Sequence, residues 1–540
     1  MGEITGHELI ARGLRNEGVQ DLFFLMGGPI SQCVEESEKL GINTYYVRHE
    51  QAAAMAAHAY ARTTGRTGVC VTTAGPGTMN AVTGIANANA DAAPLVCIGG
   101  STAINATMVG GFQEMDQTPV MKPFTKLALQ VNLTGRIPEY LSVAFRHAQD
   151  GCKGAVYLDL PGDILGGKVD DGNVLYPENY RVESRPMGDP AQVRRAIDIL
   201  SKASRPIVVT GSGILWSEAW DDLRQFVEAT GMPFYTTPQG RGVVPEDHEL
   251  FFGGARSMAF READTVLVIG TRANSMLFNV RPPQFSAAAR FIEVNLDGTE
   301  LGRNRPVELG IIGDAKMVLQ QLTEAADGVL KLGKGHEWIE ALRAKDAATH
   351  ERSEAQINSS ANPIHPARLC KELRETMDRD AFLVVDGHEI MGFARHTIPT
   401  YFPRHRVNAG PQGCMGVGVP FGLGVQAGNP DKQVVVLCGD GAFGWNGMDV
   451  DSIVRHKLPV KIVIGNNAGF TARGTYGKTG RELGWQRYDK MMEAIGCHGE
   501  WVEEPGDIRA ALERAFAVDG PAIVNVRTDP EAQAISRVGF

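Results

Sequence analysis

The stretch VVVLCGDGAFGWNGMDVDSIVRHKLPVKIVIGNNAG, residues 434–469, decides the fold that we predict for the C-terminal part of this chain. Its apolar runs, 434–438 and 461–465, predict buried strands that lie side by side in a parallel sheet. Asp440 follows the first strand and Asn467 follows the second. Open α/β sheets bind ligands at the carboxyl ends of their strands, so we expect both side chains at one ligand site.

Oxygen ligands at these strand ends indicate a divalent cation. Asp440 offers a carboxylate oxygen, Asn467 an amide oxygen and Gly469 a backbone carbonyl. Mg²⁺ prefers octahedral oxygen coordination and usually takes few protein ligands beside phosphate oxygens and water. The motif therefore predicts Mg²⁺ that holds a diphosphate. The alternative is structural, because Gly-Asp-Gly is also a common turn and Asn-Asn a common start of a loop.

A second motif lies far upstream, where Glu50 is followed by the Ala-rich segment QAAAMAAHAYARTT, residues 51–64. This segment predicts a helix that begins at a single carboxylate. The run VCVTT, residues 69–73, predicts a strand that leads into the turn Gly75-Pro76-Gly77. The structural alternative is that Glu50 is an ordinary first-turn acid, which the helix dipole favours.

Length and composition limit the remaining choices. The 540 residues predict about three domains, with linkers at 181–190 and 331–363, where the alternation of helices and strands restarts. The net charge of −10 argues against nucleic acid or an anionic membrane as a partner. The eight cysteines show no C-x-x-C spacing, which favours free thiols in a reducing compartment. Because the sequence shows neither a signal peptide nor an apolar run of transmembrane length, we predict a cytoplasmic protein.

The two motifs, in this order and context, resemble the thiamine diphosphate (ThDP) enzymes, and the resemblance covers essentially the whole chain. It implies an α/β fold of three doubly wound parallel-sheet domains. These are a pyrimidine-binding domain at 1–180, a central domain at 186–335 and a diphosphate-binding domain with a C-terminal tail at 360–540. It also implies that Glu50 hydrogen-bonds N1′ of the aminopyrimidine and so activates the thiazolium carbon. In this family the two cofactor-binding domains of one site come from different chains, so a homodimer, or a dimer of dimers, is implied.

The resemblance implies further cofactor contacts. Met415 matches a bulky wedge beneath the cofactor, and the carbonyl of Gly413 matches an acceptor for the 4′-amino group. Gly387 and His388 match a loop that meets the diphosphate. The alternatives are that Met415 fills the core and that His388 is an exposed histidine at a strand end. The remaining cofactor-binding candidates are Pro76, Asn80, Gly439, Gly441, Ala442 and Phe470.

Two loops carry a resemblance to the oxalyl-CoA decarboxylase and 2-hydroxyacyl-CoA lyase branch. The first, at Gly28, Pro29 and Ile30, matches a loop that faces the substrate. The second contains Gln113 and Glu114, which are candidates to approach the cofactor and act in catalysis. The alternative for the second loop is a solvated polar turn. Acetolactate synthases share part of this pattern, so that branch stays open.

Two departures from the decarboxylase pattern separate the two acyl-CoA reactions. Thr471 stands where the decarboxylase carries a tyrosine, and the C-terminal tail is short, which weakens the decarboxylase hypothesis more than the lyase hypothesis. We therefore predict a 2-hydroxyacyl-CoA lyase that yields formyl-CoA and an aldehyde or ketone, reversible towards carbon–carbon ligation. Acetolactate synthase acting on pyruvate and oxalyl-CoA decarboxylase are the alternatives. A ThDP-binding protein without turnover would not need Glu50. The base for the substrate hydroxyl stays open among Gln113, Glu114, His388 and the cofactor itself.

The central domain and a set of arginines supply the last candidates. By resemblance, the central positions match an ADP site or, less well, an FAD site; the alternative is an empty cleft. These positions are Gly211, Arg272, Asp297 and Asp314. Arginine binds phosphate bidentately, which makes three arginines candidates for the phosphates of coenzyme A, although they could equally form a solvated face. These are Arg395, Arg404 and Arg406.

Overall fold

The computed structural model describes residues 2–181, 183–470 and 476–534. Within them the chain forms three parallel sheets of six, five and six strands, flanked by helices, and one small antiparallel pair, Glu3–Thr5 with Lys168–Asp170. The predicted fold class, three α/β units built on parallel sheets, is confirmed. The domain limits 1–180, 186–335 and 360–540 stay predictions.

The first sheet carries the strand that precedes the Gly75 turn. Its central strands are buried at every residue, as expected for a parallel sheet with helices on both faces. In spatial order the strands are Asn43–Tyr46, Asp21–Phe24, Gly68–Thr72, Leu95–Ser101, Ala155–Pro161 and Leu127–Gln130. The helices are Gly6–Asn16, Ser31–Lys39, Glu50–Thr64, Pro76–Ala90, Gln117–Met121, Ile137–Gln149 and Gly162–Gly166.

The central sheet has the same parallel construction. Its strands, in spatial order, are Phe234–Thr236, Pro206–Thr210, Thr265–Ile269, Arg290–Asn295 and Leu309–Ile312. Its helices are Pro190–Ser201, Ser212–Trp216, Trp220–Thr230, Arg256–Glu262 and Ala315–Ala326. The predicted second linker contains a 21-residue helix, Glu337–Ile357, whose Trp338 packs into the core of the central sheet and donates Nε1–H to the Pro206 carbonyl at 3.3 Å.

The third sheet places the two predicted ligand-bearing strands next to each other. Val434–Gly439 and Lys461–Asn466 pair in parallel with Gly439 opposite Gly465, so Asp440 and Asn467 leave the same edge of the sheet. In spatial order the strands are Arg406–Val407, Phe382–Asp386, Val434–Gly439, Lys461–Asn466, Ala522–Arg527 and His498–Val502. The helices are Pro366–Thr376, Glu389–Thr397, Gly418–Gly428, Asp440–Asn446, Val450–Arg455, Tyr488–Glu493 and Ile508–Ala517.

The Glu50 helix, Glu50–Thr64, joins the first and third sheets. Thirteen of its 15 residues are buried, and it packs against both Pro76–Ala90 and Gly418–Gly428. A β carbon at Gly424 would overlap the Ala56 carbonyl, so this close approach requires glycine on one helix and tolerates only small side chains on the other. The alanine-rich composition of the helix therefore follows from burial on nearly every side.

The same junction contains a buried carboxylate. Asp449 is 1% exposed, and its Oδ1 accepts the backbone N–H of Arg48 at 2.8 Å, directly before the Glu50 helix. Burial raises the pKa of Asp449 to about 7, against the opposing effect of its hydrogen bond with Arg48. Among the described helices, none is both long enough and apolar enough to cross a membrane.

We predict that Asp449→Asn stabilises the protein above neutral pH. From about pH 4 to 7 the folded state keeps a proton on Asp449 that the unfolded state has lost, so the free energy of unfolding falls as pH rises, by up to ~1.4 kcal/mol per pH unit. Asparagine keeps the acceptor for Arg48 without the charge. In thermal unfolding experiments, the midpoint of the variant should rise relative to that of the wild type as pH increases from 5 to 8.

Asp431→Asn serves as the control, because Asp431 is exposed on the same domain. Its unfolding midpoint should follow the wild type at every pH. If the unfolding midpoints of Asp449→Asn and the wild type differ by the same amount at every pH, the raised pKa of Asp449 is contradicted.

Candidate active site

A cleft at the edge of the third sheet, here called the Asp440 cleft, collects the predicted cation ligands. Asp440, Asn467 and Gly469 all line it. Backbone N–H groups of Asn467 and Gly469 hydrogen-bond the Asp440 carboxylate, which draws the two strand ends together. Burial raises the pKa of Asp440 to about 7, although these hydrogen bonds oppose the shift. A nearby cation would favour the charged form of this carboxylate.

Most of the other predicted cofactor contacts of the C-terminal part line the same cleft. They are Gly387, His388, Met415, Gly439, Gly441, Ala442 and Phe470. Gly413 does not line it; it lies two residues before Met415, with φ of 60°. Sequence reasoning missed Pro366, Arg481 and Thr528, which also line the cleft. No local pattern marks them, because they reach the cleft from chain segments outside the two motifs.

The cleft has the shape and chemistry of a site for a metal-bound diphosphate. A β carbon at Gly439 would point into open space, so glycine at this position leaves room beside Asp440. A β carbon at Gly441 would lie 2.6 Å from the ring of Phe470, so the ring packs directly on the backbone of the motif. The donors are oxygens of the kind that Mg²⁺ prefers. The residues present therefore fit the predicted group.

Asp386 supports this cleft from behind, and the sequence analysis did not single it out. It ends the strand Phe382–Asp386 and accepts the backbone N–H groups of Gly387 and Gly418, each at 2.8 Å. Burial raises its pKa to about 6, although those hydrogen bonds oppose the shift. The carboxyl group thus ties the Gly387 loop of the cleft to the helix that packs against the Glu50 helix.

Glu50 lies in a second cluster, on the first sheet. It is 6% exposed, occupies the first turn of its helix, and its Oε2 accepts Nδ2–H of Asn80 at 3.0 Å. A β carbon at Gly77 would lie 3.0 Å from Glu50 Oε1, so the carboxylate rests on the turn that contains Pro76. Gly75 adopts a left-handed conformation, φ of 61°, in which a β carbon would also overlap the carbonyl of Gln113. The turn therefore holds Glu50, Pro76, Asn80 and Gln113 in one neighbourhood.

A pocket beside this turn, here called the Thr73 pocket, contains the predicted substrate loop. Gly28, Pro29 and Gln113 line it, together with Met26, Thr73 and Phe112. Ile30 does not line the pocket, because it is fully buried beneath it. Thr471 lies outside the described residues. Sequence reasoning missed Thr73, although its position directly before the Gly75 turn is a signal that could have found it.

Glu114 has a structural role within its own loop. Its carboxylate accepts the backbone N–H groups of Met108, Gly110 and Gly111, the last two at 2.9 Å. These hydrogen bonds lower the pKa of Glu114, and the bond from Met108 has the largest effect. Glu114 does not line the Thr73 pocket, whereas its neighbour Gln113 does. In a single chain the carboxylate thus stabilises the loop that presents Gln113.

A third cavity, here called the central cleft, lies between the first and central sheets. Arg272 lines it and donates to the Ala90 carbonyl and to Cys152 Sγ, both at 2.9 Å, so it bridges the two units. Asp297 and Asp314 do not line the cleft. Each accepts a backbone N–H as the N-cap of a short helical turn or helix, and Asp314 also accepts the Ser217 hydroxyl at 2.9 Å.

The remaining wall of the central cleft offers polar groups that the sequence analysis missed. Gly211 lies behind it, against Thr271. Thr237 and Gln239 line the cleft, are 2% and 6% exposed, and carry side-chain oxygens without a hydrogen-bond partner in the described part of the chain. Trp216 adds an aromatic face to the same wall. A buried oxygen without a partner is costly, which indicates a polar ligand.

The three predicted coenzyme A arginines lie in different surroundings. Arg406 is 5% exposed and donates to the Ile398 carbonyl at 2.8 Å, and Arg404 donates to the Leu215 carbonyl at 3.0 Å between two tryptophans. The fold uses both guanidinium groups, so this geometry does not favour them as phosphate ligands. Arg395 instead lies in the helix Glu389–Thr397, which begins at the Asp440 cleft.

The Asp440 cleft and the Thr73 pocket are separate on one chain. All lining residues of the cleft fall between 366 and 528, and all those of the pocket fall between 26 and 113. The predicted substrate loop and the predicted cation ligands therefore lie at separate cavities of the described chain.

Comparison with known proteins shows the family of this chain. Three sequence models match the chain: the N-terminal TPP binding domain of thiamine pyrophosphate enzymes at residues 4–120, their central domain at 193–322 and their C-terminal TPP binding domain at 387–526. Each model overlaps one of the three sheets described above, and the central model spans all five strands of its sheet.

Full-length relatives carry three different names. The chain is 34% identical to a 2-hydroxyacyl-CoA lyase of Arabidopsis thaliana, over 99% of this chain and 97% of the relative. It is 34% identical to the acetolactate synthase large subunit IlvG of Mycobacterium tuberculosis, over 97% and 95%. It is 31% identical to an oxalyl-CoA decarboxylase of Escherichia coli K12, over 98% and 95%. These matches, together with the three matched domains, show that the chain belongs to the thiamine pyrophosphate enzymes and is a ThDP-dependent enzyme.

Proposed function

We propose that this protein is a 2-hydroxyacyl-CoA lyase. The bond between C1 and C2 of the substrate breaks, C2 leaves as the carbonyl carbon of an aldehyde or ketone, and C1 takes up a proton and leaves as formyl-CoA. The reverse reaction joins the same two products. The observation that carries this proposal is a pair of arginines near the Asp440 cleft whose charge no acidic side chain of the described residues neutralises.

These arginines are Arg395 and Arg256. Neither makes an ion pair or a side-chain hydrogen bond within residues 2–181, 183–470 and 476–534, and the guanidinium of Arg256 lies over the rings of Phe260 and Phe278. Burial and repulsion from Arg395 lower the pKa of Arg256 to about 9, and burial and repulsion from Arg241 lower that of Arg395 to about 10. Arg241 itself is paired with Glu246. Two crowded guanidinium groups without acids favour a polyanionic ligand, such as the phosphates of coenzyme A.

The position of Arg395 suits a substrate that reaches from these phosphates to the cofactor. Arg395 lies six positions after Glu389, the first residue of the helix, and Glu389 lines the Asp440 cleft. At 1.5 Å per residue this is roughly 9 Å along the helix axis. The flexible thioester arm of an acyl-CoA can cover that distance. Pyruvate carries a single carboxylate and is too short to reach from the cofactor to both guanidinium groups.

Bound ThDP supplies an electron sink for the carbon–carbon cleavage. We propose that Glu50 exchanges a proton with N1′ of its aminopyrimidine, and that Asn80 keeps the Glu50 carboxylate in place through the hydrogen bond described above. Asp440, Asn467 and the Gly469 carbonyl are the proposed Mg²⁺ ligands. Gln113 faces the substrate pocket, and Glu114 holds the loop that carries Gln113.

We also propose that two copies of the chain form the site. The pocket beside the Glu50 turn and the Asp440 cleft share no lining residue on one chain, whereas one ThDP molecule needs both. A homodimer is therefore the smallest assembly that this proposal allows, and a dimer of dimers is consistent with it.

For the central cleft we propose ADP as the ligand, ahead of FAD. Arg272 supplies a cation, and Thr237 and Gln239 supply oxygens that lack a partner among the described residues. Asp297 and Asp314 are not proposed as contacts, because both cap helical turns.

A substrate panel tests the proposed reaction. We expect a 2-hydroxyacyl-CoA to give formyl-CoA and an aldehyde, and Arg395→Ala to raise KM for it about tenfold or more, since a hydrogen bond between ions contributes ~1.5–3 kcal/mol. Product identification and steady-state kinetics provide the measurement. Arg514→Ala, which removes an exposed arginine paired with Glu500, should leave KM unchanged.

The same panel includes oxalyl-CoA and pyruvate. Formation of acetolactate from pyruvate, with no formyl-CoA from any thioester, would replace the proposal with the acetolactate synthase alternative. Release of CO₂ and formyl-CoA from oxalyl-CoA alone would replace it with the decarboxylase alternative.

Glu50→Gln tests the proton transfer. We expect exchange of the C2 proton of bound ThDP, and turnover, to fall by about 10²–10⁴-fold, the usual contribution of a positioned acid or base. Binding of ThDP with Mg²⁺ should persist, because glutamine is the same size. Proton exchange can be followed by NMR, with Glu139→Gln as an exposed control in the same domain. Undiminished exchange in Glu50→Gln would refute this role.

Thermal unfolding tests the nucleotide. At a concentration 100 times its Kd, ADP should stabilise the folded protein by about 2.7 kcal/mol and so raise the unfolding midpoint. Thr237→Val should reduce this shift, whereas Thr210→Val, whose buried hydroxyl also lacks a partner but does not line the cleft, should not. A larger shift with FAD than with ADP would contradict our choice of nucleotide.

A further inference from the structure

The Thr73 pocket contains two hydroxyl groups that the described fold leaves unsatisfied. Thr73 Oγ1 and Thr102 Oγ1 are both buried and both lack a hydrogen-bond partner within the described residues, and both threonines line this pocket. Thr73 is 8% exposed, so water does not readily reach its hydroxyl group to form a hydrogen bond. Buried hydroxyls are normally hydrogen-bonded, because leaving one unpaired is destabilising. Two of them in one small pocket indicate a ligand with an oxygen atom.

The pocket lies next to the carboxylate that is proposed to exchange the cofactor proton. A β carbon at Gly77 would lie 2.5 Å from Thr73 Cγ2 and 3.0 Å from Glu50 Oε1, so both side chains rest on the same glycine. From the other side, a β carbon at Gly27 would overlap the Thr73 side chain. Only glycine at position 27 therefore lets the substrate loop close over Thr73.

Apart from Ser101 and Gln113, the rest of the wall is apolar. Met26 and Phe112 line the pocket with large hydrophobic side chains that are 50% and 91% exposed, and Pro29 adds a rigid ring. Exposed apolar groups beside unsatisfied hydroxyls suit a ligand with a hydrocarbon part and a single oxygen. Among the two products of the proposed reaction, the aldehyde or ketone has this composition, whereas formyl-CoA carries phosphates.

We propose that the Thr73 pocket binds the C2 half of the substrate, with Thr73 and Thr102 hydrogen-bonded to its oxygen and the hydrocarbon against Met26, Pro29 and Phe112. A hydroxyl group both accepts and donates. Thr73 can therefore accept from the 2-hydroxyl before cleavage and donate to the carbonyl oxygen after it. This inference rests on the proposed lyase function and names the substrate class that its pocket takes: a 2-hydroxyacyl group with an apolar substituent.

Substitution by valine tests the hydroxyl group specifically, because valine keeps the shape of threonine and removes only the hydroxyl. With the ThDP–Mg²⁺ holoenzyme, we expect Thr73→Val to lower kcat/KM about tenfold for cleavage, and for ligation as the aldehyde is varied, as the loss of one hydrogen bond predicts. Thr102→Val should act in the same direction. Exchange of the cofactor C2 proton should stay at the wild-type rate, because neither hydroxyl is needed for it.

Thr118→Val is the matched control. Its hydroxyl is also buried and unpartnered within the described chain, but Thr118 does not line the pocket. All three variants remove an unsatisfied group, so none should unfold at a lower temperature than the wild type. Only the two pocket variants should lose activity, which separates a binding role from a general effect on the fold.

Direct binding of benzaldehyde to the holoenzyme, measured by saturation-transfer NMR, keeps the test independent of turnover. We expect Kd to rise about tenfold in Thr73→Val and to stay unchanged in Thr118→Val. Equal Kd values in wild type, Thr73→Val and Thr118→Val would overturn the inference. If the wild type binds benzaldehyde through Thr73 but cleaves no 2-hydroxyacyl-CoA, the lyase proposal fails while the pocket assignment stands.

Discussion

The close contact between the Glu50 helix and the helix Gly418–Gly428 sets the geometry on which the rest of this protein depends. It is built from alanine and glycine, because Gly424 meets the Ala56 carbonyl with no room for a β carbon. One end of the first helix carries Glu50, and the second helix starts at an N–H bonded to Asp386, behind the Asp440 cleft. A larger side chain at this contact would displace Glu50 and the strands that carry the proposed cation ligands relative to each other.

Charged and polar groups whose burial is energetically unfavourable are concentrated at the proposed ligand sites. Burial raises the pKa of Asp440 and, together with repulsion from neighbouring arginines, lowers the pKa values of Arg256 and Arg395. The Thr73 hydroxyl has no hydrogen-bond partner among the described residues. Each group would be stabilised by a different partner: the carboxylate by a cation, the guanidinium groups by an anion and the hydroxyl by a ligand oxygen. Ligands that pair these groups should therefore contribute to the stability of the folded protein as well as to catalysis.

Sequence patterns predicted the parts of the site that depend on local order along the chain. An apolar strand followed by Asp440 or Asn467 fixes where each side chain leaves a sheet, and the parallel arrangement brings the two ends together. The patterns did not indicate that Asp297, Asp314 and Glu114 accept neighbouring backbone N–H groups, because such a carboxylate and one that binds a ligand look the same in sequence. The roles of Arg404 and Arg406 were hidden for a similar reason, since burial depends on distant segments.

By itself, the sequence determined the α/β class, the ThDP family, and the order of the acid and cation motifs, since periodicity and short motifs are local properties of the chain. Tertiary structure alone decided which polar groups remain unsatisfied and which cavity each one faces. Arg256 approaches Arg395 from another domain, and Thr102 joins Thr73 across neighbouring strand ends. Such pairs arise when the sheets and helices pack, because packing brings together residues far apart in the chain and removes water from between them.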